Sequence, residues 1–150
     1  TAISNALFLV ERRLQVENVR FTLQLPPEDI FAMCESNRLE QVLVNLYANA
    51  LDAMNGSEVR SLRVSVECTQ EHVLIHVADT GPGLSTEVYE HLFEPFFTTK
   101  PQGLGLGLGL AISEQITRQF GGVLRAENAP GGGAVFTIEL QIATQEEKHV

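Results

Sequence analysis

Gly103-Leu-Gly-Leu-Gly-Leu-Gly-Leu110, running directly into the helical pattern that begins at Ala111, decides how this chain is read. Four glycines at strict two-residue spacing bury no side chain. Inside a regular element each loses more backbone entropy on folding than alanine, by roughly 0.5–1 kcal/mol. What they supply is bare backbone N–H groups, φ freedom and close approach. At the head of a helix such donors face an anion. Two familiar glycine-rich architectures are excluded: the run lacks the Gly-Lys-[Ser/Thr] ending of a P-loop, and no strand directly precedes it as a dinucleotide-binding unit requires. A doubly wound parallel sheet is therefore not the expected fold.

Working outward, residues 109–120 read as a helix, with Ile112, Ile116 and Phe120 at four-residue spacing and Gly121-Gly122 as its stop. Strands are predicted at 123–127 and 134–142; in the second, Phe136, Ile138, Leu140 and Ile142 alternate with Thr137, Glu139 and Gln141. Residues 80–109 form a long connection punctuated by glycine and proline, with one short helix at 85–92. Two alternating segments, 62–69 and 72–79, are expected to pair as a hairpin. Asn37-Arg-Leu-Glu40 has capping-box spacing and opens a long helix ending near Met54, with Asn55-Gly56 beyond it. The first part of the chain reads as a helix over 3–16, a strand near 20–25, a Pro26-Pro27 turn and a short apolar strand at 30–34. The sum is about six mostly antiparallel strands and about three helices. Sheets of this kind carry their helices on one face, so the expected class is α+β, a two-layer α/β sandwich.

At 150 residues with 44% hydrophobic content, the chain is expected to form one globular domain over 1–142, with a polar tail at 143–150. Its first residue is Thr1, as expected of a piece of something longer. The net charge of −9 argues against a nucleic-acid partner and requires any polyanionic ligand to be held by local donors and a metal. No apolar run reaches the 18 or so residues of a membrane span, so no direct membrane contact is expected of this domain. Cys34 and Cys68 stand apart, without a Cys-x-x-Cys pair, and read as small buried hydrophobes in a reducing compartment.

The long helix carries an unusual polar stripe. Asn45, Asn49 and Asp52 lie nearly above one another, and Arg38 and Gln41 extend the line upstream. Asparagine is a poor helix former, because its amide competes for the backbone. Two stacked in mid-helix suit a ligand: amide oxygens fit a hard cation such as Mg²⁺, which takes few protein ligands plus phosphate oxygens. Further on, an apolar strand runs into Asp79-Thr-Gly-Pro-Gly83, which can put a carboxylate and bare backbone at Gly81 and Gly83 against a flat ligand. In Phe93-Glu-Pro-Phe-Phe-Thr-Thr-Lys100 the aromatics Phe93, Phe96 and Phe97 read as packing anchors, and Lys100 as a phosphate contact just ahead of the glycine run.

Taken in order, these segments resemble the nucleotide-binding half of bacterial sensor histidine kinases, within the ATPase superfamily shared with gyrase, heat-shock-90 chaperones and mismatch-repair clamps. Leu46-Tyr-Ala-Asn-Ala-Leu-Asp-Ala53 is similar to the asparagine box, Asp79–Gly83 to the first glycine box, Phe93–Phe97 to the phenylalanine box, and Gly105-Leu-Gly-Leu-Gly109 to the second glycine box. Gly131–Phe136 is similar to the closing glycine motif, and the wording Asn-Ala-Leu-Asp-Ala resembles the nitrogen- and dicarboxylate-sensing subgroup.

The resemblance implies a Bergerat-type ATP-binding fold. It also implies that Asn49 ligates the Mg²⁺ that bridges the phosphates of ATP and that Asp79 receives the adenine amino group. Gly81 and Gly83 would let the backbone approach the base, and Asp52 would stand on the adenine or ribose side. Gly105, Leu106, Gly107, Leu108 and Gly109 would line the triphosphate as a lid, expected to be mobile without ligand, with Lys100 beside it. Clamp-type relatives place a water-activating glutamate one helical turn before the metal-binding asparagine. Here that position is Asn45, whose amide cannot accept a proton as a carboxylate does. Transfer to a supplied nucleophile is thus favoured over hydrolysis, with an ATP-hydrolysing clamp as the alternative. None of His72, His76, His91 or His149 sits in a family phosphoacceptor motif. The implied partners are the dimerisation and phosphoacceptor helices of the same kinase and a response regulator, and the implied location is the cytoplasmic portion of an inner-membrane sensor.

Overall fold

The computed structural model describes residues 1–98 and 108–143. Helix α1 (Ala2–Val16) is opened by Thr1, whose side chain accepts from the Ser4 N–H at 3.2 Å. Strand β1 (Arg20–Gln24) follows, then the long helix α2 (Ser36–Ala53). The hairpin strands β2 (Ser61–Cys68) and β3 (His72–Ala78) come next, then the short helix α3 (Thr86–His91). Helix α4 (Gly109–Gln119) and the strands β4 (Val123–Asn128) and β5 (Ala134–Gln141) complete the described chain.

The strands form one five-stranded sheet in the order β1-β2-β3-β5-β4. Only β1 and β2 run parallel, because the segment joining them crosses over through α2; the other three pairs are antiparallel. The period-2 patterning holds on β2, β3 and the first four residues of β4, while on β5 it breaks at Thr137, which is buried and hydrogen-bonded to His76. Val64, Val77, Ile75, Ile138 and Phe136 point into the core, while Arg63, Glu67 and Arg125 alternate onto the opposite face. Against the inward face α2 buries Leu39, Leu43, Leu46, Tyr47 and Leu51, and α1 adds Ile3, Ala6 and Val10. Full burial of each large aliphatic side chain is worth about 1.5–3 kcal/mol, which is what holds the helices to the sheet. The α+β two-layer sandwich is thus the observed class.

Several local expectations give way. The expected strand at 30–34 is reduced to bridge pairing at Phe31 and Ala32, with Ala32 opposite Ile142 and backbone bonds from Met33 N–H to the Gln141 carbonyl and from Ala143 N–H to the Phe31 carbonyl. The capping box does not form: the N-cap of α2 is Glu35, without a side-chain cap, and Glu40 instead accepts from the Asn5 amide at 2.8 Å. On α4 the buried face is Ser113, Ile116 and Thr117, and Ile112 is 38% exposed, because the helix turns its polar side toward α2. No disulfide joins Cys34 and Cys68, and Cys68 is exposed on β2 rather than buried.

Candidate nucleotide site

Helix α2 is the floor of the site. Asn45 donates from Nδ2 to Ser113 Oγ at 3.2 Å and reaches the Gly109 carbonyl at 3.5 Å, so the first turn of α4 lies against the middle of α2. At the carboxyl end of α2, the Ala53 carbonyl oxygen stands 2.7 Å from where a β-carbon on Gly81 would be. The Asp79–Gly83 loop therefore sits on the end of the same helix. From Asn45 to Ala53 is about 12 Å along the axis at 1.5 Å per residue, with Asn49 one turn from each. Asn49 is half-buried and makes no side-chain hydrogen bond to any described residue.

Asp79 is 4% exposed at the end of β3. Its Oδ1 accepts from the N–H of Gly81 at 2.9 Å and of Ala134 at 3.3 Å, leaving Oδ2 without a hydrogen bond among the described residues. Burial pushes its carboxyl above the ordinary range, and the two backbone donors offset only part of that rise. A desolvated carboxylate with one oxygen fixed and one open is a directional acceptor for a ligand N–H.

The loop is braced on every side. Thr80 Oγ1 accepts from the Ser61 N–H at 3.0 Å and donates to the Val59 carbonyl at 2.8 Å. Asn128, at the end of β4, accepts from the Leu84 N–H at 2.7 Å and donates to the Leu84 carbonyl at 3.0 Å. Gly83 has φ +84° and lies against Asn128, so its lack of a side chain also serves the fit of the loop to the β4–β5 turn. None of these braces was legible as a site feature in the sequence; the closing Gly131–Gly133 run was the one local signal that something must approach closely there.

The polar stripe of α2 divides between partners. Asn45 is taken by α4, whereas Asp52 pairs with Arg13 of α1 at 2.9 Å, a residue that sequence patterning did not single out. Leu108 is the N-cap of α4 and supplies no side-chain cap, so the N–H groups of the first turn have no side-chain acceptor from it. Lys100, Gly105, Leu106 and Gly107 lie outside the described residues. Of the three aromatics, Phe93 packs on the core and Phe97 sits against the His91 ring at 5.6 Å between centroids. Phe96 is 72% exposed with φ +67°: the left-handed backbone after Pro95 turns its side chain outward, so it is not a packing anchor.

The family model for histidine kinase-, DNA gyrase B- and HSP90-like ATPases matches residues 34–144, which contain α2, the Asp79–Gly83 loop, α4 and the β4–β5 hairpin but not α1. The chain belongs to that ATPase family. Within it, the C4-dicarboxylate transport sensor protein DctB of Rhizobium meliloti (strain 1021) is 40% identical over 141 residues, 94% of this chain. The chain spans 22% of that relative's length. The solved catalytic domain of the histidine kinase ThkA superposes with a TM-score of 0.81 at 33% identity, covering 93% of this chain and 91% of that one. ThkA in complex with the response regulator protein TrrA gives 0.78 at 29% identity, covering 95% of this chain and 40% of that one. The molecule is thus the ATP-binding catalytic domain of a two-component sensor histidine kinase. In this kinase domain, no helix among the described residues is long and apolar enough to cross a membrane.

Proposed function

We propose that this domain binds ATP with Mg²⁺ and donates the γ-phosphate to a histidine on separate dimerisation and phosphoacceptor helices. The observation that carries the reading is the buried Asp79 carboxylate, which offers an open Oδ2 beside Gly81 at the end of α2. It accepts the exocyclic amine of adenine. The triphosphate then extends along α2 toward Asn49 and the first turn of α4, whose N–H groups favour anionic oxygen.

The residues present fit a magnesium ion. Asn49 offers an amide oxygen that no described side chain engages, and a hard cation held mostly by water and phosphate needs few such ligands. Bound there, the ion would neutralise charge on the phosphates. The protein's own contribution is positioning and electrostatics, the main levers in phosphoryl transfer. The acceptor imidazole nitrogen forms the new bond to phosphorus, the bond between the γ-phosphorus and the bridging oxygen breaks, and ADP departs with the electron pair.

Asn45 supports transfer over hydrolysis: its amide donors are engaged by α4, and an amide supplies no base for water. The phosphohistidine would then charge a response regulator, as the complex of ThkA with TrrA supports. We infer that the domain works on the cytoplasmic side of an inner-membrane sensor, as its similarity to the C4-dicarboxylate transport sensor supports.

The test is to mix the domain with its separately made acceptor helices and γ-labelled ATP. An acid-labile label on histidine, absent in Asn49→Ala, is expected. No label on the cognate acceptor, with steady hydrolysis by the domain alone, would overturn the reading in favour of a clamp.

A further inference from the structure

Two polar residues on α4 are completely buried, an expense that an amphipathic helix normally avoids. Thr117 explains itself, since its hydroxyl donates to the Ser113 carbonyl one turn back at 2.8 Å. Ser113 does something different. Its Oγ accepts from Asn45 Nδ2 across the gap between helices, and the same amide reaches back to the Gly109 carbonyl. One α2 side chain thus grips two successive turns of α4, beginning at the helix's first residue. The grip falls one turn before Asn49, and α4's own N-cap, Leu108, contributes no side-chain bond.

We propose that Ser113 is a positioning residue for nucleotide binding: through Asn45 it fixes the distance and rotation of α4's first turn relative to Asn49. It touches no phosphate. It sets where the donors of that turn stand, and a helix rotated or withdrawn there would present its N–H groups away from an anion held over Asn49. This rests on the reading of the site as an ATP site. Asn45 itself is a poor probe, since it lies close enough to Asn49 to meet ligand directly, whereas Ser113 is fully buried behind it.

The experiment is an equilibrium titration of the 150-residue chain with a fluorescent ATP analogue and Mg²⁺, comparing wild type, Ser113→Ala and Thr117→Val. Ser113→Ala is expected to weaken binding about five-fold, the scale of one neutral hydrogen bond, with faster exchange of the intrahelically bonded amides at residues 112–116. Thr117→Val removes an equally buried hydroxyl from the same helix but no bond to α2, and is expected to stay within about two-fold. Equal weakening by the two variants, or unchanged affinity in Ser113→Ala, overturns the proposal while leaving the ATP reading intact. Failure of the wild-type chain to bind the analogue at all overturns the ATP reading, and the proposal with it.

Discussion

A β-carbon on Gly133 would stand 2.0 Å from the carbonyl oxygen of Asp79. The last hairpin is thereby pressed against the backbone of the residue whose carboxylate is proposed to receive the base. Gly133 also has φ +84°, so a side chain would be strained even without the collision. Gly133→Ala is expected to destabilise the fold by about 2–4 kcal/mol, combining left-handed backbone cost with overpacking. Gly131 has no atom near its missing side chain, and Gly131→Ala should stay within about 0.5 kcal/mol of wild type. Urea denaturation of the two variants checks the pair.

Asp79 opposes stability to function. Its carboxyl lies above the ordinary range, chiefly through burial. The native state therefore holds that proton more tightly than the unfolded chain, and this stabilisation is lost as pH rises from the unfolded value of about 3.9 through the folded one. Asp79→Asn removes the charge and can keep both backbone bonds through Oδ1. Its melting temperature at pH 7 is expected at or above wild type, the difference narrowing as pH falls through that window. Nucleotide affinity should fall about ten-fold or more, since the new amide donates where an adenine amine also donates. Thermal melts at two pH values and one titration check both halves.

The Asn49 side chain makes no hydrogen bond to any described residue, and it occupies a helix position where alanine is the better former by about 0.5 kcal/mol. Asn49→Ala should melt at or slightly above the wild-type temperature. Its nucleotide affinity should no longer respond to Mg²⁺, measured by titration with and without the metal.

Arg13 and Asp52 join α1 to α2, but their side chains are 41% and 33% exposed, so solvent screens the pair. A double-mutant cycle of Arg13→Ala and Asp52→Ala is expected to give a coupling below about 1 kcal/mol that shrinks at high salt. A coupling of several kcal/mol would show that the pair is far better shielded than its exposure indicates.

The fold was readable wherever one periodicity ran long enough to be unambiguous. The alternation of Phe136, Ile138 and Leu140 specified β5 and its buried face, and Leu39, Leu43, Leu46 and Ala50 specified α2. Local signals misled where tertiary contacts competed for the same group. Glu40 could have closed a capping box but found Asn5 on α1, and the apolar 30–34 segment pairs with the chain just past β5 rather than forming a ladder of its own. In the candidate site, Asn49 and Asp79 stand out in the sequence because their chemistry is out of place in a helix interior and at a strand end. Their supports were not visible: Ser113, Asn128 and Arg13 matter through partners 68, 44 and 39 positions away, and no local pattern encodes such pairings.

The bond from the Ala134 N–H to Asp79 Oδ1 spans 55 positions of sequence. Closing such a loop comes late, because its entropy must be lost before the contact is gained. Until the final hairpin docks, the Asp79 carboxylate keeps only the Gly81 N–H of its two backbone donors. On the proposed reading, the site is complete only once the final hairpin has formed, and nucleotide binding would stabilise only molecules that contain it.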